Sequence, residues 1–397
     1  MDKLVIPGGN NTGRWTFAAY RDATYYPVVA FLEGNNPYDV KAYMKTYPVG
    51  DVFPPYLPMT LLLHLPLGML SFKSSVTAYF IVTLILILLL SRLSLVLCGI
   101  TPCAARTFGL AALVLLSRPG QSTLILGECT AIVTVGMYMA FLYSRDNPVL
   151  AGLGVALTSF KPTFGVPLAL LLLARRDFKP VLIGIALSAA LSTCAAGVIA
   201  YNAGGITPFV ASMRESYGAS EDHPDSNPVT SPSRIDAKGL AGRLLGKDPG
   251  AGIEILTLIG IVGVGVVGVR RLRSGGDATQ IQRIEVGLFS LVILTCIFHQ
   301  PYDLLLLTMP QLALASGGGS VPWDRSPRLR WTLLALLIFP AFNYLGSATA
   351  FSFLRIEIRD TAWILLSSLN GAALLVGLFV YLKVAIGWPS HTPPGNA

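Results

Sequence analysis

Asp22 stands just before the aromatic pair Tyr25 and Tyr26. A carboxylate there can take a proton from a hydroxyl, with phenol rings beside it to stack and to donate hydrogen bonds. It can equally cap a helix running from Ala23 to Leu32. Lys161 precedes Pro162 between two apolar runs. An ammonium in that place is costly unless it meets an anion or a wet cavity, or unless it snorkels out to the interface. Arg234 and Asp236 share a polar stretch. They can pair with each other, or Arg234 can grip a phosphate bidentately. His299 and Asp303 flank the turn Gln300-Pro301-Tyr302. His299 can donate to an anion or cap helix carbonyls. Asp303 reads first as an N-cap and second as a substrate contact. Glu128 lies inside the apolar run 121–143, where a carboxylate is a functional candidate by default; burial against a polar neighbour from another helix is the preferred account. Asp39 and Asp51 read as turn formers, and His64 as a residue facing lipid headgroups. The five cysteines, Cys98, Cys103, Cys129, Cys194 and Cys296, form no CxxC pair. Neither a disulfide framework nor a zinc site follows, and no metal or cofactor is expected.

The elements that must hold these residues are membrane helices. The chain of 397 residues is 53% hydrophobic and only 13% charged, against roughly 25% charged in soluble domains. Its mean hydropathy is +0.62. Eleven apolar segments are expected, at 75–97, 105–117, 121–143, 148–160, 162–174, 180–202, 251–270, 284–299, 301–316, 331–350 and 361–386. Most approach the roughly 20 residues that span a hydrocarbon core. The stretch 56–71 is apolar but dense in proline, which breaks a spanning helix; it reads as an interfacial helix. The pattern is that of one all-α polytopic membrane domain over 1–397. It divides into a first extracytoplasmic loop with an interfacial helix (1–74), N-terminal membrane helices (75–202), an outer loop (203–250), C-terminal membrane helices (251–386) and a disordered tail (387–397).

The net charge of +8 comes from short clusters between apolar runs. Arg175, Arg176 and Lys179 form one, Arg270, Arg271, Arg273 and Arg283 a second, and Arg325, Arg328 and Arg330 a third. Clusters of this kind mark cytoplasmic loops, not a nucleic-acid surface. The N-terminal region, the Lys161 tip, the loop 203–250 and the turn at His299 then all face the outside. That convergence is the default site hypothesis. The loop 203–250 is too long for a simple turn and is expected to be mobile and to order over a substrate. A polar N-terminus of about 70 residues facing outward also needs something to carry it across. A first transmembrane helix missing upstream of Met1 is the preferred explanation, ahead of segment 75–97 acting as a reversed anchor.

Several stretches resemble glycosyltransferase family 87, of the GT-C class. Asp22-Ala-Thr-Tyr-Tyr26, Gly34-Asn-Asn-Pro-Tyr-Asp39 and Phe53-Pro-Pro-Tyr-Leu-Pro58 are similar to elements of that family's first outer loop. Gly120-Gln121, the run from Ala151 to Lys161-Pro162, Ser233-Arg-Ile-Asp236 and His299-Gln-Pro-Tyr-Asp303 follow in family order. The resemblance implies a GT-C-like bundle and transfer of a monosaccharide, most often mannose, from a polyprenyl-phosphate donor. The acceptor would be a lipid or glycan at the extracytoplasmic face of the cell membrane. It implies inversion at the sugar carbon without a metal, with Asp22 as general base. On this resemblance Lys161, Arg234 and His299 would bind the donor phosphate, and Tyr25, Tyr26, Asp236 and Asp303 would contact substrate. Membrane lipids are the remaining partners, and nucleic acid is not one. The competing readings are a transporter or flippase for a lipid-linked sugar and a non-catalytic membrane subunit that binds one. Broken helices and intramembrane charge suit a transporter, but no internal repeat is visible, and the polar groups gather on one face.

Overall fold

A computed structural model describes residues 17–273, 278–317, 323 and 326–387. Every regular element among the described residues is a helix, with no strand among them. Four helices are long and apolar enough to cross a membrane: Phe72–Leu97, Phe178–Asn202, Ala251–Leu272 and Thr361–Ile386. Helices Ala104–Leu116 and Arg118–Gly127 meet at 80° and count as a fifth span if taken together. Thr130–Tyr143, Pro148–Ser159 and Pro162–Ala174 are apolar but shorter. At about 1.5 Å per residue their 14, 12 and 13 residues fall short of a hydrocarbon core of about 30 Å. The expected eleven spans are therefore not confirmed by helix length.

The long helices turn apolar side chains outward. Ile81, Ile85, Leu182, Leu256, Ile259 and Phe379 are all more than half exposed. Apolar surface on this scale has no place in water and suits lipid. At the centre stands Ala278–Cys296, in which every residue from Ile284 to Cys296 is buried. A helix apolar all round is a core helix. This one also carries Glu285 at one end and leads into His299 at the other.

Several segments depart from the sequence reading. The run 121–143 is broken: a π-helical turn, Thr123–Gly127, ends before Glu128, and the next helix begins at Thr130. Gly127 takes φ +73°, and a Cβ there would lie 2.5 Å from Tyr20 Cβ. Glycine is what lets the chain turn against Tyr20. The run 301–316 divides into the 3₁₀ helix Pro301–Leu307 and the α-helix Thr308–Ser316. The run 331–350 ends its first helix at Phe342. The stretch 56–71 holds two short helices, Met59–Leu63 and Leu65–Gly68, separated at His64. The loop 203–250, longer than a simple turn as expected, is largely helical, through Ile206–Glu221 and Ala237–Leu245. Arg325 and most of the tail from 387 lie outside the described residues.

The two ends of the bundle differ in chemistry. Helix Pro162–Ala174 runs from Lys161 at one end to Arg175 at the other. Arg175 Nε lies 2.9 Å from Asp177 and 3.5 Å from Glu285, and Arg273 Nε is 3.3 Å from Glu285. This buried ion-pair group ties three helices together. At the Lys161 end, Leu57 N donates to Phe160 O at 3.0 Å and Ile235 N to His299 O at 3.0 Å. Ser216 Oγ donates to Phe53 O at 2.7 Å. The N-terminal region, the helix break at Lys161, the loop 203–250 and the His299 turn therefore meet at one end.

Candidate active site

Lys161 is held by the break between helices Pro148–Ser159 and Pro162–Ala174, which Pro162 enforces at the first helical position. The side chain does not snorkel; the residue is 5% exposed. Its Nζ sits over the rings of Tyr302, Tyr56 and Phe164 at 5.2, 5.5 and 5.8 Å. The Glu128 carboxylate stands 3.9 Å away. The cage gives a desolvated ammonium a set of aromatic faces, and Glu128 supplies its counter-charge.

Asp303 lies beside this cage. Its carboxylate accepts from Thr130 Oγ1 at 2.9 Å, Gln300 N at 3.0 Å and His299 Nδ1 at 3.0 Å. Gln300, not Asp303, occupies the N-cap of the 3₁₀ helix; Asp303 is at N3 and reaches back to it. The expected N-cap is therefore displaced by three positions. Donation from His299 Nδ1 to Asp303 orients the imidazole, as carboxylate–histidine pairs do. His299 Nε2 is buried and has no hydrogen-bond partner among the described residues. Its ring meets the Phe164 ring edge-on, with centroids 4.4 Å apart.

Arg234 and Asp236 choose each other. Arg234 Nε and Nη2 donate to the two carboxylate oxygens at 2.8 and 3.0 Å. Asp236 also caps helix Ala237–Leu245 through Gly239 N at 3.0 Å. The Arg234 guanidinium is buried, and these bonds hold the Asp236 carboxyl below its ordinary range against the cost of burial. The guanidinium rests on the Phe298 ring at 5.1 Å, so the pair flanks the His299 turn without joining the Lys161 cage. Arg243, also buried, donates to Ser231 O and Arg234 O at 2.9 and 3.0 Å and ties the loop together.

Asp22 sits in a separate buried pocket, inside the π-helical turn Arg21–Tyr25. It does not cap the helix Tyr26–Leu32, whose N-cap position is Tyr25. Arg21 Nε donates to Oδ1 at 2.6 Å and Arg21 Nη2 to Oδ2 at 2.9 Å. Gly50 N donates to Oδ2 at 3.3 Å. Burial raises the Asp22 carboxyl above its ordinary value, and the Arg21 bonds counter this only in part. A raised carboxylate is a stronger base once ionised. The Tyr25 hydroxyl is committed to Leu70 O at 2.9 Å. The Tyr26 ring lies between Phe72 and Tyr47, with both centroids 5.8 Å away. Two residues before Asp22, Tyr20 bonds Ser75 and stacks on Tyr79 at 4.2 Å.

Tyr79 connects the two regions, because it lines an apolar cavity of about 250 Å³ that also touches Glu128. His64, Leu67, Thr83, Leu86 and Ile132 are among its other lining residues. His64 is 4% exposed, with Nδ1 2.9 Å from Thr60 O, so it faces the protein interior and not headgroups. Sequence reasoning missed Arg21, Tyr56 and Tyr302 as members of the site. Arg21 was open to detection as the residue adjacent to Asp22. Tyr56 and Tyr302 fall inside the quoted motifs, but nothing in their spacing pairs them with Lys161.

A family model for glycosyltransferase family 87 matches residues 53–296, more than half of the chain. The chain belongs to glycosyltransferase family 87. No curated protein and no solved structure matches it. Family 87 membership, with the apolar helices, makes this a multi-pass membrane glycosyltransferase. Glu128, Lys161, Arg234 and Asp236 lie within the matched residues; Asp22, Tyr25, Tyr26, His299 and Asp303 lie outside them.

Proposed function

We propose that this glycosyltransferase uses a polyprenyl-phosphate-linked monosaccharide, mannose first among candidates, and transfers it with inversion to a lipid or glycan acceptor on the extracytoplasmic face. The observation that carries the reading is a caged cation behind an apolar cavity. The cavity reaches Glu128, and Lys161 Nζ lies 3.9 Å from that carboxylate. An apolar tail in the cavity would bring its phosphate toward the ammonium, where charge accumulates as the phosphate leaves.

Transfer then needs one base. The acceptor hydroxyl oxygen attacks the anomeric carbon, the bond from that carbon to the phosphate oxygen breaks, and the pair leaves with the phosphate. The hydroxyl proton passes to Asp22. Of a carboxylate's roughly four lone-pair sites, Arg21 and Gly50 fill one on Oδ1 and two on Oδ2. Oδ1 keeps capacity to take the proton. In this scheme His299 carries a proton on each ring nitrogen: Nδ1–H is held by Asp303, and Nε2–H donates to the leaving phosphate. In the same scheme Arg234 and Asp236 hold the loop against the His299 turn through the Arg234 contact with the Phe298 ring. These groups lie at the opposite end of helix Pro162–Ala174 from the Arg175, Arg176 and Lys179 cluster, which supports placing the reaction outside.

The test is transfer of label from radiolabelled polyprenyl-phosphate-mannose to a total lipid extract, using purified chain with Asp22→Asn beside it. Transfer by the parent, lost in the variant, is expected. Equal transfer by both would remove Asp22 as base. No transfer by the parent from any carrier-linked sugar would overturn the donor reading and favour a flippase or a binding subunit.

A further inference from the structure

A second cavity, of about 260 Å³, shares no lining residue with the apolar one. One wall is the turn Gly34-Asn35-Asn36 with the start of helix Val40–Thr46; Asn202 and Ser212 stand opposite. The turn is drawn close to the far wall: Gly34 takes φ +79°, and a Cβ on it would lie 3.4 Å from Asn202 Nδ2. Tyr43 and Tyr47 also line the space, with ring centroids 5.5 Å apart.

The wall groups are partly fixed by the fold. Asn35 Nδ2 donates to the Tyr47 hydroxyl at 2.8 Å, which itself donates to Glu33 at 2.6 Å. Asn36 Oδ1 accepts from Tyr38 N at 3.0 Å. Asp39 Oδ1 accepts from Ala42 N at 3.0 Å. The Asn202 amide and the Thr46 hydroxyl line the same cavity, are exposed, and have no hydrogen-bond partner among the described residues, so both are open to a ligand.

The donor set defines the ligand class. Amides and hydroxyls offer donors and acceptors side by side, which matches vicinal hydroxyls. Among the described residues no lysine or arginine lines the cavity, and Asp39 is the one carboxylate. A phosphate or uronate would find no counter-charge there. The volume lies below the roughly 300–1,000 Å³ of pockets for drug-sized ligands, so it suits one sugar ring and not a chain. Tyr43 links the cavity to the base, because its hydroxyl donates to Asp22 O at 2.9 Å. An occupant is thus separated from the Asp22 backbone by the Tyr43 side chain and is not the reacting unit.

We propose that this cavity is a subsite for a neutral sugar unit of the acceptor, next to the unit that receives the transferred sugar. The proposal rests on the glycosyltransferase reading above, and it makes the acceptor a glycan or glycolipid of at least two units.

The test uses the full chain in lipid nanodiscs free of sugar detergents. Saturation-transfer NMR is run with methyl α-mannoside, methyl α-glucoside and methyl α-arabinofuranoside. At least one should bind, with the signal falling fivefold or more in Ser212→Tyr, which fills the cavity, and in Asn202→Ala. The second variant adds no bulk and keeps the test valid if the first fails to fold. Both should raise the acceptor KM in the label-transfer assay at least fivefold, with donor KM unchanged and kcat within twofold. A chain that transfers label while both variants keep parental glycoside binding and acceptor KM overturns the subsite and leaves the transfer reading standing. Absence of label transfer from every donor refutes the transfer reading itself, and the subsite's acceptor role with it.

Discussion

Replacing Lys161 by methionine tests whether its charge serves the fold or the substrate. Methionine keeps the length of the stem and contact with the Tyr56, Tyr302 and Phe164 rings. The charge opposite Glu128 disappears. At the observed 3.9 Å and an effective dielectric constant of about 20, Coulomb attraction between the two charges is about 4 kcal/mol. Breaking a buried pair from one side costs roughly 3–5 kcal/mol, because the partner charge is left behind. Lys161→Met alone should therefore lower the unfolding free energy by a few kcal/mol. Glu128→Gln alone should do the same, and the double variant should lose much less than the sum. The assay is thermal or denaturant unfolding of purified protein in one detergent, arranged as a double-mutant cycle. Additive losses, with coupling below about 0.5 kcal/mol, would refute the pairing. Activity adds a second criterion. On the proposed role of Lys161 at the donor phosphate, the stability-restored double variant should still fail to transfer sugar. Normal transfer by that variant would refute the phosphate role and leave the pair as a structural pin.

Asp22→Asn should cut transfer about 10²–10⁴-fold and flatten the acid limb of its pH profile. In the parent that limb should lie above the ordinary carboxylate value of 3.8, since burial raises the Asp22 carboxyl; Arg21→Gln should move it higher by removing the groups that lower it. Between 3.8 and the raised value the folded chain binds more protons than the unfolded one. Asp22 therefore makes stability fall as pH rises through that window, a trend that pH-dependent unfolding should show missing in the Asn variant. Asp236 has the opposite sign: its carboxyl is lowered from 3.8, so its stabilisation is full above 3.8 and lost as pH falls through the lower folded value. Asp236→Ala should cost about 3–5 kcal/mol in unfolding measurements at neutral pH by stranding buried Arg234; a cost near zero would show the pair solvated. Gly127→Ala should destabilise by at least about 1–2 kcal/mol for the positive φ alone, and more for the clash with Tyr20. A thermal melt unchanged from the parent would show that the turn is not held as described.

The sequence alone settled the residue types and the medium. Low charge and long apolar runs required lipid, and Lys161 before Pro162 announced itself as a cation where apolar chain should be. The ordered motifs were enough to point to family 87, although only the stretch from Phe53 to Cys296 is covered by the match. Partners were a different matter. Glu128 reaches Lys161 from another helix break, and Thr130 reaches Asp303 from 173 residues away; no periodicity encodes such pairings. The break at Gly127 was hidden because a single glycine in an apolar run is compatible with a membrane helix, and only the approach of Tyr20 explains the turn. The length of loop 203–250 suggested a mobile cover, but not that Asp236 caps a helix there or that buried Arg243 binds the loop to itself. The burial of Asp22 against Arg21 likewise needed the fold. Adjacent residues in a helix do not face each other, and it is the π-helical turn that accompanies the bidentate contact. Composition and local spacing thus determined which charges enter the membrane domain, whereas tertiary packing decided which of them meet, because desolvation makes every buried charge seek a partner wherever the chain supplies one.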